Sequence, residues 1–311
     1  MKKILITGGA GYIGSLLSTS LINEGHKVTV IDLLKYNKSS ISHLFFYKNF
    51  KFIKGDCRKK NLIKKLIKEN EILIPLAGLV GAPLCEKFKK DAISTNFEAI
   101  KMLKDLADRK KKIIYMTSNS GYGIGEKGKY CDENSPLNPI SLYGRTKCDA
   151  EKEVLKFKNS ICFRLATVFG FSFRMRSDVL VNNFVYRAVN EKKLDIFEPE
   201  FRRNFIHVRD VVKCITFSIN NFNKLKGEVF NLGLSSANIS KIQLAKKIKK
   251  ALPKTKINII KNFNDPDKRD YFVSNKKIEK KGFRAKIDLE TGIKELTQYF
   301  TNNNDKILNN Y

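Results

Sequence analysis

The sequence predicts an α/β protein built on a doubly wound parallel sheet, with a smaller, interleaved α+β substrate-binding lobe. Three observations carry this. Short apolar, strand-like runs alternate with periodic helical stretches through the first half of the chain. A glycine-rich turn, TGGAGYIG at residues 7–14, joins the first such run to the first helix. After Gly170 the alternation loosens and the segments lose their fixed rhythm.

The strand runs are residues 2–8 (KKILITG), 27–32 (KVTVID), 51–56 (KFIKGD), 71–78 (EILIPLAG), 111–118 (KKIIYMTS) and 160–170 (SICFRLATVFG). Most are near-continuously apolar, as strands covered by helices on both faces must be. Helical periodicity marks residues 13–25 and 97–110. In the second half, residues 177–193 read as a helix, and 202–219 begin extended and turn helical. Residues 228–233 read as a strand and 240–252 as an amphipathic helix. The expected division is residues 1–170 for the first domain, with returns near 203–215 and 228–233, and residues 171–311 mainly for the second lobe. Pro75 removes a ladder N–H from the fourth run, which predicts a local break in pairing there.

Composition bounds the function. The 311 residues are 42% hydrophobic and 29% charged, enough apolar material for a well-buried core. The net charge is +29, but the lysines are spread over solvated helix faces such as KKNLIKKLIKEN (59–70). No aromatic-and-basic stripe appears, so a nucleic-acid partner is not expected; the charge suits an anionic small substrate. The longest uncharged apolar run, residues 72–85, is too short to span a bilayer and holds two prolines. The N-terminus breaks into glycines without a cleavage site, and a cytoplasmic protein with no membrane partner is expected. The six cysteines form no Cys-x-x-Cys pair, and His26, His43 and His207 lie far apart, so neither a metal site nor a disulfide framework is expected.

The motifs point to a bound dinucleotide. Gly8, Gly11 and Gly14 follow a strand and open a helix, with Tyr12 and Ile13 in its first turn. Such a turn brings backbone N–H groups up to a pyrophosphate at the helix N-terminus. Asp32 ends the second strand, eighteen residues after Gly14, where a carboxylate takes the adenosine ribose hydroxyls. It would repel a 2′-phosphate by ~4 kcal/mol at ~4 Å and an effective dielectric of ~20, which selects NAD over NADP. Asp56 and Cys57 end the third strand, beside the expected adenine, and Leu76, Ala77 and Gly78 pass the cofactor after the fourth. Ser118 ends the fifth strand, at the level of the ligand crevice. Tyr143 and Lys147, four residues apart, share one helix face.

Taken in order over residues 1 to about 275, these motifs and the stretches FRLATVFG and RRNFIHVRDVV resemble the extended short-chain dehydrogenase/reductase superfamily. Within it, the chain is similar to the NAD-dependent nucleotide-sugar epimerase/dehydratase family (UDP-galactose 4-epimerase-like). The resemblance implies a Rossmann-type sheet, NAD as cofactor and a nucleotide-diphosphate sugar as substrate. It implies Tyr143 as the general base, with Lys147 favouring the phenolate and holding the nicotinamide ribose, and Ser118 orienting the reacting oxygen. A free tyrosine has a pKa near 10, and lowering it by ~3 units corresponds to ~4 kcal/mol. It places Asn96 at the cofactor, and Asn119, Asn183, Arg203 and Arg269 at the substrate, the two arginines on its phosphates. It also implies a homodimer formed through residues 97–110 and 142–157. Family dehydratases carry acidic residues just after the strand-end Ser/Thr, where this chain has Asn119 and Ser120. The implied activity is therefore epimerisation, at C4. The alternatives are a nucleotide-sugar 4-dehydrogenase with the same Ser-Tyr-Lys chemistry, a 4,6-dehydratase, or a non-catalytic NAD-binding protein. His207 is expected to be structural, and Asn204 stands where the family usually has Asp.

Overall fold

The computed structural model describes residues 1–36, 39–126, 128–260 and 269–303. Its strands are β1 (Lys3–Thr7), β2 (Lys27–Asp32), β3 (Phe50–Lys54), β4 (Ile72–Pro75), β5 (Lys112–Ser118), β6 (Tyr130–Cys131) and β7 (Ser160–Leu165). After these come β8 (Thr167–Phe169), β9 (Lys193–Ile196), β10 (Arg202–His207), β11 (Glu228–Leu232), β12 (Asn238–Ser240), β13 (Lys256–Ile259) and β14 (Phe272–Val273). Seven of them form one sheet in the order β11-β7-β5-β4-β1-β2-β3. All its pairings are parallel.

Alternation along the strands builds two cores. Ile4, Ile6, Val28, Val30, Ile72, Ile74 and Ile114 join the apolar layer on one face. Leu5, Ile31, Leu73, Ile113 and Tyr115 join the layer on the other. Period-2 strands with both faces apolar need helices on both sides. One face packs on the helices Lys60–Glu69, Ala99–Leu106 and Leu142–Leu155, through residues such as Leu66, Leu103 and Val154. The other packs on Tyr12–Asn23 and Val208–Asn220 and continues without a break to Leu180–Asn190, Lys241–Ala251 and Leu289–Asn302 in the second lobe. The fold is thus the doubly wound, Rossmann-type α/β sheet with an appended lobe.

Three local outcomes matter for the site. β4 pairs with β5 only at Ile72 and Leu73, so the ladder stops before Pro75, which has no N–H to offer. The apolar run expected as one strand over 160–170 is two. The chain leaves the main sheet at Ala166, whose N–H reaches Leu232 O at 2.9 Å, and β8 pairs instead with β10. β11 returns to the main sheet beside β7, whereas β10 joins a separate three-stranded sheet with β8 and β12. His207 caps the helix Val208–Asn220, accepting from Arg209 N at 3.2 Å. Asn204 is buried: its amide donates to Leu234 O at 2.9 Å and its oxygen accepts from Asn275 at 3.4 Å. A neutral amide can do both, and a carboxylate could not.

Candidate active site

A cleft of about 670 Å³ opens beyond the carboxyl ends of the parallel strands and runs under the second lobe. Open α/β sheets bind ligands at this edge. Its floor is the glycine turn. Gly8 has φ +74°, and a Cβ there would lie 2.5 Å from Ala77 N. A Cβ on Gly14 would lie 2.4 Å from Gly8 O, so these two glycines are required by the turn's own packing. At Gly11 the closest atom to a Cβ would be Gly8 O, at 3.1 Å. Gly11 is also the N-cap of Tyr12–Asn23 and supplies no side-chain cap, which leaves the first-turn N–H groups for a ligand anion. Tyr12 and Ile13 line the cleft, but the Tyr12 phenol points away into packing, donating to Gly170 O at 2.6 Å.

Asp32 accepts from Ala10 N at 3.1 Å and Leu34 N at 2.8 Å, so its carboxylate is fixed to the glycine turn and its own loop. Burial raises its pKa against those bonds. Leu34 takes φ +52°, an unusual geometry for a side-chain-bearing residue, in wrapping that loop round the carboxylate. An anionic acceptor beside a free helix N-terminus suits a dinucleotide with an unphosphorylated adenosine ribose, and the residues present fit NAD. Asp56 and Cys57 line the cleft, but the Asp56 carboxylate is engaged by Arg58, with Nη2 at 2.7 Å and the backbone N–H at 2.9 Å. Arg58 holds the Asp56 carboxyl below the usual carboxylate range. Leu76, Ala77 and Gly78 lie along the cleft wall as expected for small passing residues.

Ser118, Tyr143 and Lys147 come together on that wall. Ser141 caps the Tyr143 helix, accepting from Gly144 N at 3.2 Å. A Cβ on Gly144 would lie 3.2 Å from Ser120 O, so the glycine lets this helix press against the end of β5. The Tyr143 side chain is half-buried on the cleft wall; desolvation raises its pKa, and Ser118 and the charges of Arg269 and Arg176 act to lower it. Lys147 sits over the Tyr115 ring at 4.4 Å, and burial lowers its pKa to about 8. In the protein alone, desolvation is the largest cause of both shifts.

Two expected contact residues are not on the wall. Asn96 is buried in a π-helical turn (Ser94–Glu98), where its side chain brackets Leu79, accepting from N at 2.9 Å and donating to O at 2.9 Å. It shapes the Leu76–Gly81 loop and touches the cleft only through that loop; its neighbour Thr95 lines the wall. Asn119 is buried beneath the strand end, its side-chain atoms without protein partners among the described residues. Asn183, Arg203 and Arg269 do line the cleft. Between the two arginines, Arg202 binds Asp270 through Nε at 2.9 Å and Nη2 at 3.0 Å, and so pins their two segments together. Residues 265–268, just before Arg269, lie outside the described residues.

The wall also holds Arg174, Arg176 and Asp178, none of which was expected. Arg174 lies 4.8 Å from the Tyr36 ring, and Arg176 is locked to Asp178 by bonds of 2.9 and 2.5 Å. Two arginines in FRMRSD, just after the last glycine of the first half, were the available signal. Their position depends on Ser172, which donates to Tyr12 O at 2.6 Å, a contact between residues 160 apart in sequence.

The model of the NAD dependent epimerase/dehydratase family matches residues 4–233. A putative UDP-glucose 4-epimerase of Methanocaldococcus jannaschii is 28% identical, covering 97% of this chain and 99% of its own. The dTDP-D-glucose 4,6-dehydratase of Homo sapiens is 26% identical, covering 97% and 91%. Among solved structures, UDP-glucose 4-epimerase of Thermotoga maritima with UDP-glucose superposes with a TM-score of 0.85 at 26% identity, covering 96% and 98%. The dTDP-glucose 4,6-dehydratase of Bacillus anthracis, in complex with NAD, has the same fold, with a TM-score of 0.85 at 24% identity and 97% coverage of both chains. The glycine turn, Asp32, Ser118, Tyr143 and Lys147 all lie within the span this family model matches, and the chain is an enzyme of the NAD-dependent epimerase/dehydratase family, with NAD as its cofactor.

Proposed function

We propose that the chain is a nucleotide-sugar epimerase acting at C4. The carrying observation is the chemistry beside Tyr143. The residues at the strand end are Ser118, Asn119 and Ser120, none of them a carboxylic acid. Asp178, on the cleft wall, has both its oxygens engaged by Arg176 and is turned to that guanidinium. Eliminating water across C5 and C6 needs a base for the C5 proton and an acid for the departing oxygen. Removing and restoring hydrogen at C4 needs only one proton acceptor, and Tyr143 supplies it.

Bound NAD supplies the hydride acceptor and donor and, when oxidised, a positive charge beside the phenol. The chain's own residues do the rest. Tyr143 takes the proton from the sugar hydroxyl and returns it, and Ser118 orients that oxygen. Arg203 and Arg269 hold the diphosphate, for which the bidentate guanidinium fork is suited. The substrate is a nucleotide-diphosphate sugar, turned over in the cytoplasm by a homodimer paired through Ala99–Leu106 and Leu142–Leu155.

A second reading, the 4,6-dehydratase, is favoured by one observation: dehydratase relatives are as similar to the chain as epimerase relatives. Incubation with UDP-, dTDP-, GDP- and CDP-sugars, followed by NMR and mass spectrometry, separates the readings. A product of unchanged mass, inverted at C4 and formed without net NADH, is expected. A product lighter by one water establishes the dehydratase, and a keto-sugar with stoichiometric NADH a 4-dehydrogenase. No Tyr143-dependent turnover of any of them would overturn the reading.

A further inference from the structure

Ser120 and Arg269 are joined to the catalytic wall in a way the reaction so far does not use. Arg269 Nη1 donates to Ser120 Oγ at 2.7 Å, and Ser120 Oγ lies 2.6 Å from Ser118 Oγ. Ser120 N–H donates to Ser118 Oγ at 3.1 Å; Ser118 lines the same cleft wall as Tyr143, and hydrogen bonding from it eases ionisation of the phenol. A chain of hydrogen bonds therefore runs from a guanidinium of the second lobe to Ser118, which shares the cleft wall with the phenol.

Its direction follows from donor counting. Arginine only donates, so Ser120 Oγ must accept from Arg269. Ser120 is buried, and among the described residues the only acceptor facing its own O–H is Ser118 Oγ. If Ser118 donated to Ser120 instead, the Ser120 proton would be buried without an acceptor, which costs about 1–3 kcal/mol. With Ser120 donating both its O–H and its N–H, both lone pairs of Ser118 are filled. In the protein without sugar, the Ser118 proton is then directed at the Tyr143 oxygen; a bound sugar oxygen takes that same proton when Ser118 orients it. The cation is held in register: Asp270, the next residue, takes three bonds from Arg202, and its carbonyl accepts from Gly125 N at 2.9 Å.

We propose that Arg269 is a positioning residue for the catalytic base, orienting a hydrogen-bond chain through Ser120 and Ser118 so that Ser118 donates to the Tyr143 oxygen. The proposal rests on the reading of Tyr143 as the proton acceptor. It deepens the role of Arg269 beyond the diphosphate, and its five N–H donors allow both contacts. Through this one side chain the diphosphate site and the base are physically continuous. The other charged or titratable groups around Tyr143 are Arg176 from the loop after β8, Cys85 from Ala82–Lys87, Tyr115 on β5, and Lys147 on the next turn of its own helix.

The test is a tyrosinate absorbance titration of NAD-loaded protein, recorded as the difference from Tyr143→Phe, which isolates one of the eleven tyrosines. It needs no nucleotide-sugar. Failure of the epimerase reading shows as absent turnover and leaves this titration interpretable. Ser120→Ala and Arg269→Ala are each expected to raise the Tyr143 transition by roughly one pH unit, the size of a charge-assisted bond lost from a chain. The double variant is expected to raise it no further, because both cut the same chain. Arg269→Lys retains a cationic donor and is expected to restore most of the shift. An unmoved transition in Ser120→Ala, or fully additive shifts, would overturn the chain and leave Arg269 acting through space. If Arg269→Ala does not fold, by circular dichroism, Ser120→Ala and Arg269→Lys decide the matter.

Discussion

Lys147 carries its charge half-buried on the wall of the cleft. Its folded pKa, about 8, lies below the ordinary 10.5, so the fold disfavours the proton. Below pH 8 both folded and unfolded chains hold the proton, and the penalty is complete, of the order of 3 kcal/mol. Between pH 8 and 10.5 the folded state has released it and the unfolded state has not, so stability rises with pH. Lys147→Met is expected to melt a few degrees above the parent at pH 7 in the cofactor-free protein, with the gap closing by pH 10.5; thermal melts at stepped pH check this. Tyr143→Phe is expected to lower kcat by roughly 10²–10⁴-fold while NAD binding is kept, as turnover and fluorescence titration will show. Asp32→Ser is expected to weaken NAD and admit NADP, read from the ratio of their dissociation constants. These residues were legible because their signals are local: a four-residue helix spacing, a glycine turn, a strand end. Arg176 was not, because a contact between Ser172 and Tyr12 places it.

At the scale of elements, one buried amide shapes the loop that borders the cleft. Asn96 makes two bonds to Leu79 from a π-helical turn, where sequence periodicity predicts only a helix beginning at residue 97. Asn96→Ala is expected to destabilise the protein by about 1–3 kcal/mol and to weaken NAD binding more than tenfold. Faster hydrogen exchange at the Leu79 amide would locate the effect in the loop. The family resemblance points to Asn96; its bonds to the Leu76–Gly81 loop are not readable, since hydrogen-bond partners seventeen residues apart leave no periodic trace. Pro75 shows the converse, since one missing N–H is a property of the residue itself. The split of 160–170 at Ala166 was invisible because both halves are equally apolar, and only the arrival of β10 and β11 tells them apart.

Across the whole molecule, a buried network ties the helix Leu142–Leu155 to the sheet and to later parts of the chain. Arg164 on β7 donates to Glu151 at 2.7 Å, on the helix that carries Tyr143, and to Tyr122 Oη at 2.9 Å. Tyr122 in turn donates to Asn231 Oδ1 on β11 at 2.6 Å, and Asn231 Nδ2 reaches Ser274 O at 3.1 Å. Glu151→Ala leaves a buried guanidinium uncompensated and is expected to cost about 3–5 kcal/mol in urea unfolding. Glu151→Leu combined with Arg164→Met is expected to recover much of that loss. Such pairings are fixed by topology, and no spacing in the sequence announces them.

The strand order also sets a timetable for synthesis. By the time residue 165 has left the ribosome, six of the seven strands of the main sheet and all of Ser118, Tyr143 and Lys147 exist, but β7 is a bare edge. The neighbour that covers it, β11, is sixty-odd residues further on, and Arg269 comes later still. The nascent chain therefore holds Ser118, Tyr143 and Lys147 well before Arg203 and Arg269, and for that interval it offers an open parallel strand to any other unfinished chain nearby.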